Sequence, residues 1–256
     1  MSLIHAEYLK ISRRKLFPIT LLVVALLMAM IGFISTVFGQ FAPAEFGEIF
    51  IIDKPEAYAF GAQQAASFTW LPLVFTVAIF GSEFTTTVWA TSLTRESSRL
   101  AQVGARLLIF TVAGWLAFIV GTAVFAAITW AAGAGTGAPP LSDWLGFLWR
   151  LGAVSFAWTA LGLGAVAVMR SMVVALVATI GWSFVDSVVA TFVDSYESIS
   201  LTAASTGLFQ GDLLGGPLAS FVPGADLSTG HAAAIMAGWA LFGFLLTWWG
   251  LQRRDA

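Results

Sequence analysis

Two charged side chains, Arg150 and Asp186, fall inside long apolar runs of this chain. A lone charge in hydrocarbon is costly, so such residues pair with one another, reach water or line a polar path. Arg150 lies about six residues into its run and Asp186 about seven from the facing end of the next, so antiparallel helices would hold them at similar depth. The expectation is an Arg150–Asp186 ion pair. It would serve either as a structural tie or as a polar latch lining a cavity on the outer side. A lone Arg150 reaching the outer headgroups is the alternative.

Other chemistry-bearing patterns are sparse. A phosphate-binding loop of the form GxxxxGK[ST] needs a lysine after its glycine. The three lysines, Lys10, Lys15 and Lys54, follow Leu9, Arg14 and Asp53 instead. The GAGTG run at 133–137 lacks that lysine and reads as a tight turn. His5 and His231 fall on opposite sides of the expected membrane, and there is no GxSxG elbow or HExxH pair. With no cysteine, the chain has no disulfide, thiolate metal site or cysteine nucleophile. It is expected not to be an enzyme and to hold no cofactor or metal of its own. Nothing in it points to nucleic acid.

The elements that must position these residues are apolar helices. Of the 256 residues, 59% are hydrophobic and 10% charged, more apolar surface than a soluble domain of this length could bury. Six runs, 17–38, 60–81, 107–131, 144–168, 172–193 and 232–251, each approach the ~20 residues that cross ~30 Å of hydrocarbon. In lipid the backbone must satisfy itself, so these are helices. The expected fold is all-α, a single transmembrane domain over 1–256 with no separate soluble domain. The basic start followed by an apolar run could be read as a secretory signal. That run, however, exceeds the usual ~7–15 residues and lacks a small-residue cleavage site.

Orientation follows from Lys and Arg. With the N-terminus inside, Lys10, Arg13, Arg14, Lys15, Arg95, Arg99, Arg106, Arg170, Arg253 and Arg254 are cytoplasmic, and only Lys54 and Arg150 are not. Short cytoplasmic loops are rich in basic residues, so both termini are expected in the cytoplasm. Residues 1–16 read as an interfacial helix, with Ile4, Tyr8 and Ile11 on its apolar face and Glu7, Lys10, Arg13 and Arg14 on the other. The alternative is a basic tail that only sets topology. The segment 194–230 is glycine- and proline-rich, which argues for a short helix at the outer leaflet and against a seventh span. Gln63, Gln64, Ser67 and Thr69 open the second run and either line a cavity or cap a helix. Ala153, Ala157, Ala160, Gly164 and Ala167 form a stripe of small residues, which lets two helices approach closely within one subunit or between two.

The most distinctive segment is GSEFTTTVWATSLTRESSR at 81–99, read as part of a cytoplasmic loop over 83–105 that ends at Arg106. It resembles the corresponding loop of the ABC-2 type transporter permeases. Glu83, Thr87, Leu93, Thr94, Ser98, Arg99 and Arg106 match that family's pattern; Glu96 stands in place of its proline and Thr86 in place of its glycine. The layout of spans resembles the family over nearly the whole chain.

The resemblance implies a membrane subunit of a bacterial or archaeal ABC exporter in the inner membrane. Its partners would be two copies of a separate ATPase, which would hold ATP and Mg, together with a second permease copy and the surrounding lipid. The ATPase would dock on Glu83, Thr87, Arg95, Glu96, Arg99 and Arg106, and on the N-terminal helix with Lys10, Arg13 and Arg14. An amphipathic cargo is expected. Two other readings remain: an accessory or sensor membrane protein without transport, and an ion-coupled secondary transporter resting on Asp186.

Overall fold

The computed structural model describes residues 3–12, 15–41, 68, 70–85, 98–131, 141–210, 224 and 227–252. Among these residues there are only helices, turns and short connections, with no strand. The helices are α1 (Leu3–Ser12), α2 (Leu16–Phe41), α3 (Trp70–Thr85), α4 (Arg99–Ala131), α5 (Leu141–Met169), α6 (Met172–Phe192), α7 (Asp194–Glu197), α8 (Leu201–Gln210) and α9 (Thr229–Gln252).

Five of them, α2, α4, α5, α6 and α9, are long and apolar enough to cross a membrane. The fold is that of a multi-pass membrane protein. The apolar stretch of α3, Leu71–Phe84, is shorter. Residues 60–67 and 69, and with them Gln63, Gln64, Ser67 and Thr69, lie outside the described set. Pro18 and Pro72 each sit in the first turn of their helix, where the missing N–H has no intrahelical partner to lose.

Two boundaries differ from the sequence expectation. The segment 83–105, read as a loop, is helical wherever it is described apart from Ser98: α3 runs on to Thr85, and α4 begins at Arg99 rather than near 107. Ser98 supplies the reason, because its hydroxyl accepts from the Ala101 amide at 3.3 Å and caps α4. Arg106 therefore lies two turns inside a helix rather than at its mouth. At 33 residues α4 is about 50 Å long, well beyond the ~30 Å hydrocarbon core.

The α5–α6 hairpin turns on only two residues. Arg170 takes a left-handed conformation (φ 54°), which closes α5, and the Ser171 hydroxyl accepts from the Val174 amide to open α6. Helix α5 is the centre of the molecule. Every residue from 157 to 167 is buried, and α3, α4, α6 and α9 all pack on it. The outward faces of α2 and α6 carry exposed Leu22, Leu26, Phe33, Val177, Phe184 and Phe192, side chains that suit lipid.

Helices α5 and α9 pack backbone against backbone. A Cβ on Gly164 would come within 2.7 Å of the Gly243 carbonyl oxygen, one on Gly243 within 2.5 Å of the Ala160 backbone, and one on Gly250 within 2.7 Å of the Ala167 backbone. Small residues let the two backbones touch. Gly243→Leu is therefore expected to force the helices apart at a cost of about 1–3 kcal/mol, the usual price of overpacking, or more. Gly181→Ala, where an added Cβ meets nothing, should be neutral or stabilise α6 by up to ~1 kcal/mol. Thermal unfolding in detergent reads both, and equal responses would show that the α5–α9 contact is not tight.

Candidate functional site

Three helices bring charge together in the interior. The Arg106 Nη2 of α4 donates to Glu83 Oε2 of α3 at 2.7 Å, and both side chains are 1% exposed. Arg106 Nε stands 3.6 Å from Glu7 Oε1 of α1, a side chain 5% exposed. The guanidinium also lies 4.8 Å from the ring centroid of Phe80, which packs edge-to-face against Phe84. Phe80 and Glu83 are three residues apart, so α3 presents ring and carboxylate on one face. Buried charges hold only when paired and hydrogen-bonded. Among the described residues, two carboxylates share the Arg106 guanidinium.

This arrangement changes what the motif residues can do. Glu83 and Arg106, expected on a water-exposed docking loop, are buried against each other and are not available to a partner's surface. They lock α3 to α4. Glu7, expected on the solvent side of α1, faces the protein: it lies four residues from the buried Ile11, on the same face. Ile4 and Tyr8 are exposed instead. Lys10 lies within α1 and Arg99 opens α4; only their backbones are described. Arg13, Arg14, Thr87, Arg95 and Glu96 lie outside the described residues.

The second expected site is differently built. Asp186 is fully buried, but its partner is not Arg150. Its Oδ1 accepts from the Tyr196 hydroxyl at 2.8 Å, and its Oδ2 from the Ser200 hydroxyl at 2.9 Å and the Thr202 amide at 2.8 Å. The carboxylate thus caps α8 from outside it. Thr202 is the second residue of that helix, and the helix N-terminus favours negative charge. Ser200 caps the same end conventionally, accepting from the Ala203 amide at 3.1 Å. Neutral donors satisfy Asp186, so no cation is needed. Arg150 is half-buried and makes no ion pair with Asp186.

Around Asp186 the elements that follow α6 are tied down. Glu197 Oε1 accepts from the Gly224 amide at 3.0 Å. The Trp158 indole N–H donates to Ser205 at 3.0 Å, and that of Trp239 to the Ile199 carbonyl at 2.8 Å. Burial and the Asp186 carboxylate push the Tyr196 hydroxyl from 10.0 up to about 12. A cleft of about 300 Å³ beside Trp239 is lined by Ser198, Ile199, Ile235, Gly238 and Phe242. The segment after 194, expected as a short helix at the outer leaflet, is α7 followed by α8, and α8 is almost wholly buried against the bundle.

Of the small-residue stripe, Ala157, Ala160, Gly164 and Ala167 are buried and Ala153 half-buried; Ala160, Gly164 and Ala167 touch α9 of the same chain. Sequence reasoning missed Glu7, Tyr196 and Ser200. A usable signal existed for the last two: a buried carboxylate followed within 14 residues by a hydroxyl-rich turn. None existed for Glu7. Among the described residues no three His, Cys, Asp or Glu side chains gather into a metal site. No family model matches this chain, and no curated protein or solved structure matches it.

Proposed function

We propose that this chain is the permease subunit of an ABC-2 type exporter, driven by ATP that a separate ATPase hydrolyses. The observation that carries the reading is the Glu83–Arg106 pair, two members of the motif joined at 2.7 Å across α3 and α4. With Glu7 they make one block of α1, α3 and α4, the elements that the resemblance assigns to ATPase contact. A block of this kind transmits a rigid-body displacement into spanning helices. In this reading Glu83 and Arg106 position the element, while Thr87, Arg95, Glu96 and Arg99, with Lys10, Arg13 and Arg14, face the ATPase.

The rest of the layout is consistent with it. The apolar run 60–81, within which α3 begins, is the sixth span of this reading. Helix α1 lies at the interface, with Ile4 and Tyr8 toward lipid. The side that holds ten of the twelve Lys and Arg residues is cytoplasmic, in the inner membrane. Two ATPase copies and a second permease copy complete the assembly, and the cargo is amphipathic. The ion-coupled alternative loses weight because Asp186 is closed by three donors rather than open to a cavity.

The test is the Arg95→Glu, Arg99→Glu double variant. Co-purification with the partner ATPase should fall, and the ATPase activity of the complex with it, through lost charge complementarity. Yield of folded permease should not change. A normal complex with normal ATPase activity would remove the docking role of this segment and put the accessory-protein reading ahead.

A further inference from the structure

The two carboxylates do not share Arg106 equally. Glu83 holds it by a charge-assisted hydrogen bond of 2.7 Å, whereas Glu7 stands 3.6 Å away, in ion-pair range but beyond hydrogen-bond distance. Helix α1 has ten residues, too few to be stable by itself, so its place depends on what it touches. Among its described side chains the buried ones are Ile11, which enters the common core, and Glu7, which reaches Arg106. An apolar contact is non-directional and holds a helix against a surface. A charge aimed at the Arg106 guanidinium also sets its rotation, because turning α1 by one residue would present exposed Tyr8 instead.

We propose that Glu7 is a positioning residue that keys α1 to Arg106, so that the N-terminal helix moves with the α3–α4 junction as one body. The functional consequence, that α1 is a second input from the ATPase to the same guanidinium, rests on the permease reading; the positioning does not. Because Glu83 keeps Arg106 paired, removal of the Glu7 charge should release α1 without unfolding the bundle.

The chain has no cysteine, so two nitroxide labels can be placed cleanly. Tyr8→Cys and Ala101→Cys put them on exposed positions of α1 and α4. The full-length protein in lipid nanodiscs, measured by double electron–electron resonance, should give one narrow distance. Glu7→Gln should add a second population displaced by about 5 Å, one helical turn, and Glu7→Asp should restore most of the original peak. A Glu7→Gln distribution identical to the parent would overturn the proposal. Loss of the fold in Glu7→Gln would overturn it too, since Glu7 would then be core structure and not a key. With the ATPase bound, added nucleotide should leave the distance constant in the parent and alter it in Glu7→Gln. Absence of any ATPase binding would count against the permease reading alone, because the distances are first measured without it.

Discussion

Arg106→Met is expected to destabilise the protein by about 3–5 kcal/mol, the usual cost of stripping one partner from a buried pair. The substitution keeps much of the side-chain volume over Phe80 but leaves Glu83 buried without its guanidinium. Adding Glu83→Met should recover most of the loss, since an apolar pair of similar volume needs no desolvated charge. A residue of the cost should remain, because Glu7 still faces the position Arg106 held, and Glu7→Gln should remove it. Unfolding in detergent across the single, double and triple variants measures this. Strict additivity would mean that the three side chains do not act as a cluster.

Asp186→Ala is expected to cost about 2–4 kcal/mol, because it deprives the Ser200 hydroxyl and the Thr202 amide of their acceptor in the interior. Asp186→Asn should fall between the two, as its amide nitrogen faces a donor where an oxygen stood. Arg150→Ala combined with Asp186→Ala should give the sum of the single effects, since neither an ion pair nor a hydrogen bond joins the two residues. A coupling energy above ~0.5 kcal/mol would restore the ion pair expected from sequence.

Tyr196 offers an independent readout of the same site. Its folded hydroxyl titrates above the unfolded value, so the stability it contributes is complete below pH 10.0 and disappears as pH rises toward about 12. In Asp186→Ala its ultraviolet titration should move part of the way back toward 10.0, since burial remains while the carboxylate is gone. An unmoved Tyr196 titration would show that the carboxylate does not act on the phenol.

The sequence by itself determined the helices and their solvent. A run of some 20 apolar residues has only one way to satisfy its backbone in lipid, and that constraint is local, so 172–193 and the observed Met172–Phe192 nearly coincide. The stripe at Ala160, Gly164 and Ala167 was legible for the same reason: helical spacing alone puts small residues on one face. The ends of helices were less so, because the Ser98 cap outweighed the polar composition that made 83–105 look like a loop.

Only the tertiary structure decided which groups the buried charges meet. Depth and sign allow many partners for Asp186, and the fold selected neutral donors 10 to 16 residues onward because α7 and α8 fold back over it. Equal reach and opposite charge recommended Arg150, but a hydrogen bond needs coordinates to within an ångström, which periodicity does not carry. Glu7 is the clearest case. Its helical position one turn from Ile11 was readable, but that α1 lies against α4 and delivers a carboxylate to Arg106, 99 residues along the chain, follows from packing alone.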